Sequence, residues 1–227
     1  MLTDTPRAGP GPCAPRQLAS HFFAPIEDQA QIPLWLQAAP VMTAGTMDDT
    51  SREALNALPD WLRSLADDLT AMASLLKDAQ LSEELRLWAA GAVGYVFKSV
   101  DLIPDGIDDL GYLDDAFVLR VAALRALEDL PSDEAAALAP LAQLADGASL
   151  IKRLLGSDYA RLDDFVSGLR IAVVRGKSPS DIVEDSVLAA QVCEEVQSFA
   201  RSYLAPPFTQ DERTLIKLKS FLSAKLP

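Results

Sequence analysis

Residues 100–115 read V-D-L-I-P-D-G-I-D-D-L-G-Y-L-D-D, and the reading of this stretch decides the fold. Asp101, Asp105, Asp108, Asp109, Asp114 and Asp115 alternate with apolar residues around Pro104. An apolar run, residues 87–97, precedes it, and Asp114 opens a second apolar stretch that continues to about Glu128. A short polar turn between two apolar stretches of helical length predicts two core helices held at a fixed angle.

Outward from the turn, helix follows helix. T-S-R-E at 50–53 and T-Q-D-E at 209–212 have the spacing of capping boxes, in which each side chain satisfies the other's free backbone N–H. After Pro59, Trp61, Leu65, Leu69, Met72 and Leu75 or Leu76 recur at three or four residues and mark one buried face. Ser82, Glu83 and Glu84 open the helix that runs to about Lys98, with acidic side chains at its positive end. Pro131 stops the helix begun at Asp114, and Ser132 starts a segment rich in Ala and Leu that Pro140 kinks or splits. Tyr159, Leu162, Val166, Leu169 and Val173 form the next stripe. Val183, Val187, Ala190, Val196, Phe199 and Tyr203 form another, and Leu215, Leu218 and Leu222 the last. No strand alternation of useful length occurs. The expected fold class is all-α, a compact multi-helix bundle with a short Asp-rich turn between two core helices. Residues 1–46 read as an irregular Pro-rich arm, 47–130 as a helical domain around the turn, and 131–227 as a C-terminal helical extension or subdomain. Met42 and Met47 precede the first clear helix, so a start at either would leave the arm outside the native product.

Composition narrows the function classes. The 227 residues are 49% hydrophobic, enough for a sizeable core. The formal charge of -13, from 33 acidic and 20 basic residues, argues against nucleic acid and anionic lipid as partners of the whole chain. Cys13 and Cys193 form neither a disulfide framework nor a thiolate metal cluster, and Cys193 reads as a small buried apolar residue. Pro6, Pro10, Pro12 and Pro15 break the region where a secretory apolar run would lie, so the expected location is cytoplasmic. The apolar run at 87–97 has 11 residues, whereas a spanning helix needs about 20.

The central stretch closely resembles the signature of the YkvA-like family of domains of unknown function: an apolar helix, D-L-I-P-D, a short turn, G-Y-L-D-D and a second apolar helix. Asp101, Leu102, Ile103, Pro104, Asp105, Gly111, Tyr112, Leu113, Asp114 and Asp115 carry the likeness, which extends over about residues 89–130. It implies a fold element and no reaction. Several members of that family look membrane-bound, which implies peripheral membrane association as one alternative. Arg120, Arg125, Glu128 and Asp129 interrupt the second apolar helix and depart from a spanning pattern.

Two physical readings of the turn compete. In the structural one, Asp101 accepts a hydrogen bond from the backbone two residues on, Gly111 supplies a left-handed residue, Asp114 caps the following helix and Asp115 faces its positive end. In the other, Asp101, Asp105, Asp114 and Asp115 are metal ligands that converge on a hard cation, Ca²⁺ or Mg²⁺, both of which take oxygen donors. An EF-hand loop counted from Asp101 fails, because Ile103 occupies its third position and Tyr112 stands where a bidentate Glu belongs. So many like charges require neutralisation, by a cation, by Lys98 or Arg120, or by a basic partner. The structural reading is the favoured one.

Other constellations are incomplete. His21 is the lone histidine, so a catalytic triad or histidine metal centre would depend on the arm. Gly176, Lys177 and Ser178 imitate the end of a phosphate loop, but its first glycine would fall at Ile171. Gly91 and Gly94 suit close helix packing. Lys152, Arg153, Arg161, Arg170, Arg175 and Lys177 concentrate positive charge that would suit a solvated face, the acidic turn or an acidic partner. The expectation is a non-enzymatic interaction or scaffold module with a protein partner and no assigned catalytic residue. A divalent-metal-dependent hydrolase on the aspartate cluster is the runner-up.

Overall fold

Asp48 starts the first helix, its carboxylate accepting from the Ser51 backbone N–H at 2.9 Å. The computed structural model describes residues 47–98, 101–107, 110–130 and 138–227. The expected arm, with Cys13 and His21, lies outside these residues, as do Asp108, Asp109 and the start of the Ser132 segment. Eight α-helices follow in order among the described residues: α1 Asp49–Ser74, α2 Glu83–Val96, α3 Leu113–Glu128, α4 Ala139–Leu155, α5 Asp158–Gly168, α6 Pro179–Glu184, α7 Ser186–Ser202 and α8 Glu212–Lys225. Short 3₁₀ turns follow α1 and α5, at Leu75–Lys77 and Leu169–Ile171. The fold is an all-α multi-helix bundle, and the one bridge among the described residues, Val174 to Lys177, closes a tight turn.

Several local expectations shift by a few residues. The first cap is Asp48 rather than the T-S-R-E segment, and α8 is capped by Asp211 accepting from Thr214 N–H at 2.9 Å. Helix α1 does not begin after Pro59 but runs through it. Proline lacks an N–H, which orphans the carbonyl four residues earlier, Leu55. The Gln210 side-chain amide donates to that carbonyl at 2.9 Å, which explains how an interior proline is tolerated. Pro140 falls in the first turn of α4, where no N–H is required. The C-terminal stripes are trimmed: Val173 and Val187 are 67% and 64% exposed. Helix α7 instead buries Ala189, Val192, Cys193 and Val196.

Helix α3 is the axis of the core. Eleven consecutive residues, 113–123, are buried, as α1, α2 and α4 pack around it. Its Arg120 is buried too, with Nη2 3.0 Å from Asp68 Oδ2 of α1, Nη1 donating to the Ala116 carbonyl at 3.0 Å, and the guanidinium 4.3 Å from the Trp61 ring centroid. Gly91 on α2 lies against the Leu169 backbone, where a Cβ would come within 2.8 Å of the carbonyl oxygen. The 3₁₀ turn therefore rests directly on α2, the close packing expected of that glycine. Cys193 is buried, its thiol donating to the Ala73 carbonyl at 3.2 Å.

Candidate functional site

The aspartate turn is built downward from α2. Tyr95, fully buried near its C-terminus, donates its hydroxyl proton to Asp114 Oδ2 at 2.5 Å and accepts from the Leu102 backbone N–H at 2.9 Å. The Ile103 N–H donates to the same Asp114 oxygen at 2.9 Å. Asp114 is thus a clasp: one carboxylate oxygen gathers α2, the 102–103 backbone and α3. This corrects two local expectations. Asp114 does not cap its own helix, and Asp101 does not receive the Ile103 N–H, because the buried carboxylate of Asp114 takes that donor first. The residue preceding α3 is Tyr112, which makes no side-chain cap.

The left-handed residue is also Tyr112, with φ 65°, and not Gly111. Gly111 is required for a different reason: a Cβ there would fall on the Asp105 backbone, 2.9 Å from its carbonyl carbon. Its N–H donates to the Ile107 carbonyl at 2.8 Å. Tyr112 is held in its unfavourable conformation by what its side chain reaches. Its ring packs edge-on against Tyr203 of the segment after α7, centroids 5.4 Å apart, and against Phe199 of α7 at 6.2 Å. Tyr203 in turn donates to the Leu62 carbonyl of α1 at 2.8 Å.

The four carboxylates expected as ligands lie within one another's electric field. Asp114 is 0% and Asp115 2% exposed, Asp101 is half-buried and Asp105 exposed. Burial pushes the Asp114 carboxyl up to about 6, against the opposing hydrogen bonds from Tyr95 and Ile103. Burial, then the charges of Asp114, Asp105 and Asp101, hold the Asp115 carboxyl well above the ordinary carboxylate range. Asp101 is raised by burial against the pull of Lys98, and Asp105 by burial and Asp101.

Neutralisation from within the fold is sparse. Arg120 is committed to Asp68. Arg153 pairs with Glu53, Arg161 with Asp158, Arg170 with Glu84 and Arg175 with Glu195, so these cations do not dock the acidic turn. Lys98 lies over the Tyr95 and Phe165 rings at 5.8 Å and 5.4 Å. Three buried carboxylate oxygens, Oδ1 of Asp101, Asp114 and Asp115, have no hydrogen-bond partner among the described residues. Among the described residues, no three His, Cys, Asp or Glu side chains converge into a ready-made metal cage.

Residues 85–120 match a family model described as Protein of unknown function (DUF1232). That DUF1232 segment is under a fifth of the chain and takes in most of α2, the aspartate turn and the first half of α3. No curated protein and no solved structure matches the chain. Sequence reasoning missed Tyr95, the hydroxyl on which the DUF1232 segment's turn hangs. The signal was present: a tyrosine on an otherwise apolar core helix needs a polar partner, and two aspartates follow within reach.

A second feature lies beyond that segment. After the 3₁₀ turn, Ala172 adopts extended geometry, so side chains alternate. Ala172 and Val174 line a shallow open cleft with Gly94, Phe97, Ile182 and Val192. Ile171 and Val173 point the other way, 83% and 67% exposed. The loop is stiffened by paired bonds between Val174 and Lys177, at 2.9 and 3.0 Å, around Arg175 and Gly176 with φ of 50° and 77°. No helix among the described residues is long and apolar enough to cross a membrane.

Proposed function

We propose that this chain is a non-enzymatic interaction module, cytoplasmic, in which the YkvA-like signature clasps two core helices and the 171–177 loop presents the contact surface. The observation that carries the reading is the pair Ile171 and Val173, apolar side chains held outward on a hydrogen-bonded loop rather than folded into the adjacent cleft. Adjacent exposed apolar side chains on a rigid scaffold mark contact sites more often than isolated ones do. Arg175 and Lys177 beside them suit a protein partner with an apolar centre and an acidic edge.

The test is a photo-crosslinking amino acid placed at 171 in the full chain in cells, with the same probe at exposed position 49 as control. A discrete protein adduct at 171 alone is expected. Adducts confined to lipid would replace the reading with peripheral membrane association, and equal labelling at 171 and 49 would overturn it. The unpartnered carboxylate oxygens favour, as a second reading, a divalent-metal-dependent hydrolase on Asp101, Asp105, Asp114 and Asp115. That reading requires turnover of a phosphoester or amide substrate that is lost in Asp115→Asn.

A further inference from the structure

Beyond the contact surface, we infer that the aspartate cluster is a binding site for one hydrated divalent cation of the Mg²⁺ class. Asp114 anchors the cluster. Its Oδ2 accepts from Tyr95 and Ile103, an arrangement that fixes the carboxylate plane and leaves Oδ1 bare and buried. Hydrogen bonds that hold one oxygen of a carboxylate while the other is left for an ion are the usual outer support of a metal ligand. Asp115, the next residue, is equally buried and also leaves Oδ1 bare, and Asp101 contributes a third such oxygen.

A buried carboxylate oxygen without donor or cation carries the full cost of its lost hydration. With Arg120 committed to Asp68, a single cation beside these mutually repelling carboxylates offsets part of that cost. The kind of cation follows from what is missing. Among the described residues no three carboxylates converge into the cage of many protein oxygens that Ca²⁺ takes. Mg²⁺ keeps several waters and is commonly held through one or two carboxylates, so its hydration shell spans the remaining distance. Asp105, which is exposed, stands on the solvent side and gives the ion its approach.

The experiment is thermal unfolding of the metal-stripped full chain with MgCl₂, CaCl₂ or NaCl at matched ionic strength. At about tenfold excess over Kd, Mg²⁺ should raise the midpoint by roughly 3–5 °C, with little response to Ca²⁺ or Na⁺. The rise should disappear in Asp101→Asn and Asp115→Asn and persist in Asp49→Asn, a surface control. Mn²⁺, as a paramagnetic stand-in on the unmutated chain, should broaden the Leu102 and Ile103 amide resonances first. That readout stands even where a variant fails to fold. No selective rise, a rise that survives both cluster variants, or a response to Ca²⁺ alone overturns the site. None of these outcomes depends on crosslinking at 171, so the two proposals fail separately.

Discussion

Tyr95→Phe removes one oxygen and tests whether the clasp holds the fold. The hydroxyl makes two buried bonds, to Asp114 Oδ2 at 2.5 Å and from Leu102 N–H at 2.9 Å. The first is charge-assisted and contributes about 1.5–3 kcal/mol. Losing the second leaves the N–H of Leu102, a buried residue, without an acceptor, which costs roughly 1–3 kcal/mol. Phenylalanine keeps the ring and its edge-on contact with Phe165, centroids 5.6 Å apart, so little packing is lost. The expected loss is about 3–4 kcal/mol near neutral pH, read as a lower urea midpoint at unchanged slope. The pH dependence is the sharper part. Below the shifted Asp114 value of about 6 the carboxyl is neutral, so the charge-assisted share vanishes and the loss should shrink to about 1–2 kcal/mol. A loss under about 1 kcal/mol at neutral pH, or the same loss at both pH values, would refute the reasoning.

Gly111→Ala should cost about 3 kcal/mol, because its Cβ meets the Asp105 backbone, while Gly106→Ala, with nothing within 4 Å, should lie within about 0.5 kcal/mol of the parent; paired urea midpoints decide. Arg120→Met should cost about 3–5 kcal/mol by stranding Asp68, and much of that should return when Asp68→Asn is added, a coupling that a double-mutant cycle measures. The metal-stripped chain should lose stability as pH rises. Asp114 moves from an ordinary 3.8 to about 6 on folding, so the native state holds more protons between those values and stability falls through that window by on the order of 3 kcal/mol. Asp115 extends the fall to higher pH, and Mg²⁺ should flatten the profile followed by isothermal urea titration.

The fold was legible where the signal was periodic. Leu65, Leu69 and Met72, and Leu215, Leu218 and Leu222, are buried as their spacing predicts, because a buried helix face leaves its mark on every turn. What was not legible depends on partners distant in sequence. Pro59 reads as a helix start until Gln210 supplies the donor its carbonyl lacks. The aspartates were visible as a cluster, but not their division of labour. Asp114 and Asp101 compete for the Ile103 N–H, and only the burial of Asp114 beside Tyr95 decides between them. Gly111 looked like a left-handed residue because glycines usually fill that role. Here the adjacent tyrosine takes the strained conformation, since Tyr203 and Phe199 hold its ring, and the glycine makes room for a backbone.

The contrast between Asp114 and Asp115 separates the structural role of the turn from its proposed chemistry. Both are buried and both precede the same core, yet among the described residues only Asp114 accepts hydrogen bonds from another part of the chain. Asparagine at 114 removes a charge that burial disfavours, but that charge also strengthens both bonds, so the unfolding midpoint of the metal-stripped chain should lie below that of the equivalent change at 115. Asparagine at 115 replaces a carboxylate that burial, Asp114, Asp105 and Asp101 all disfavour with a neutral group of the same size. It removes no hydrogen bond from outside the residue, so the same measurement should show a midpoint equal to or above the parent's. Adding Mg²⁺ should then reverse the order of parent and Asp115→Asn, since only the parent retains the charge the ion uses. If Asp115→Asn instead destabilises the metal-stripped chain as much as Asp114→Asn does, Asp115 is part of the clasp. Its bare oxygen would then give no reason to place a cation there.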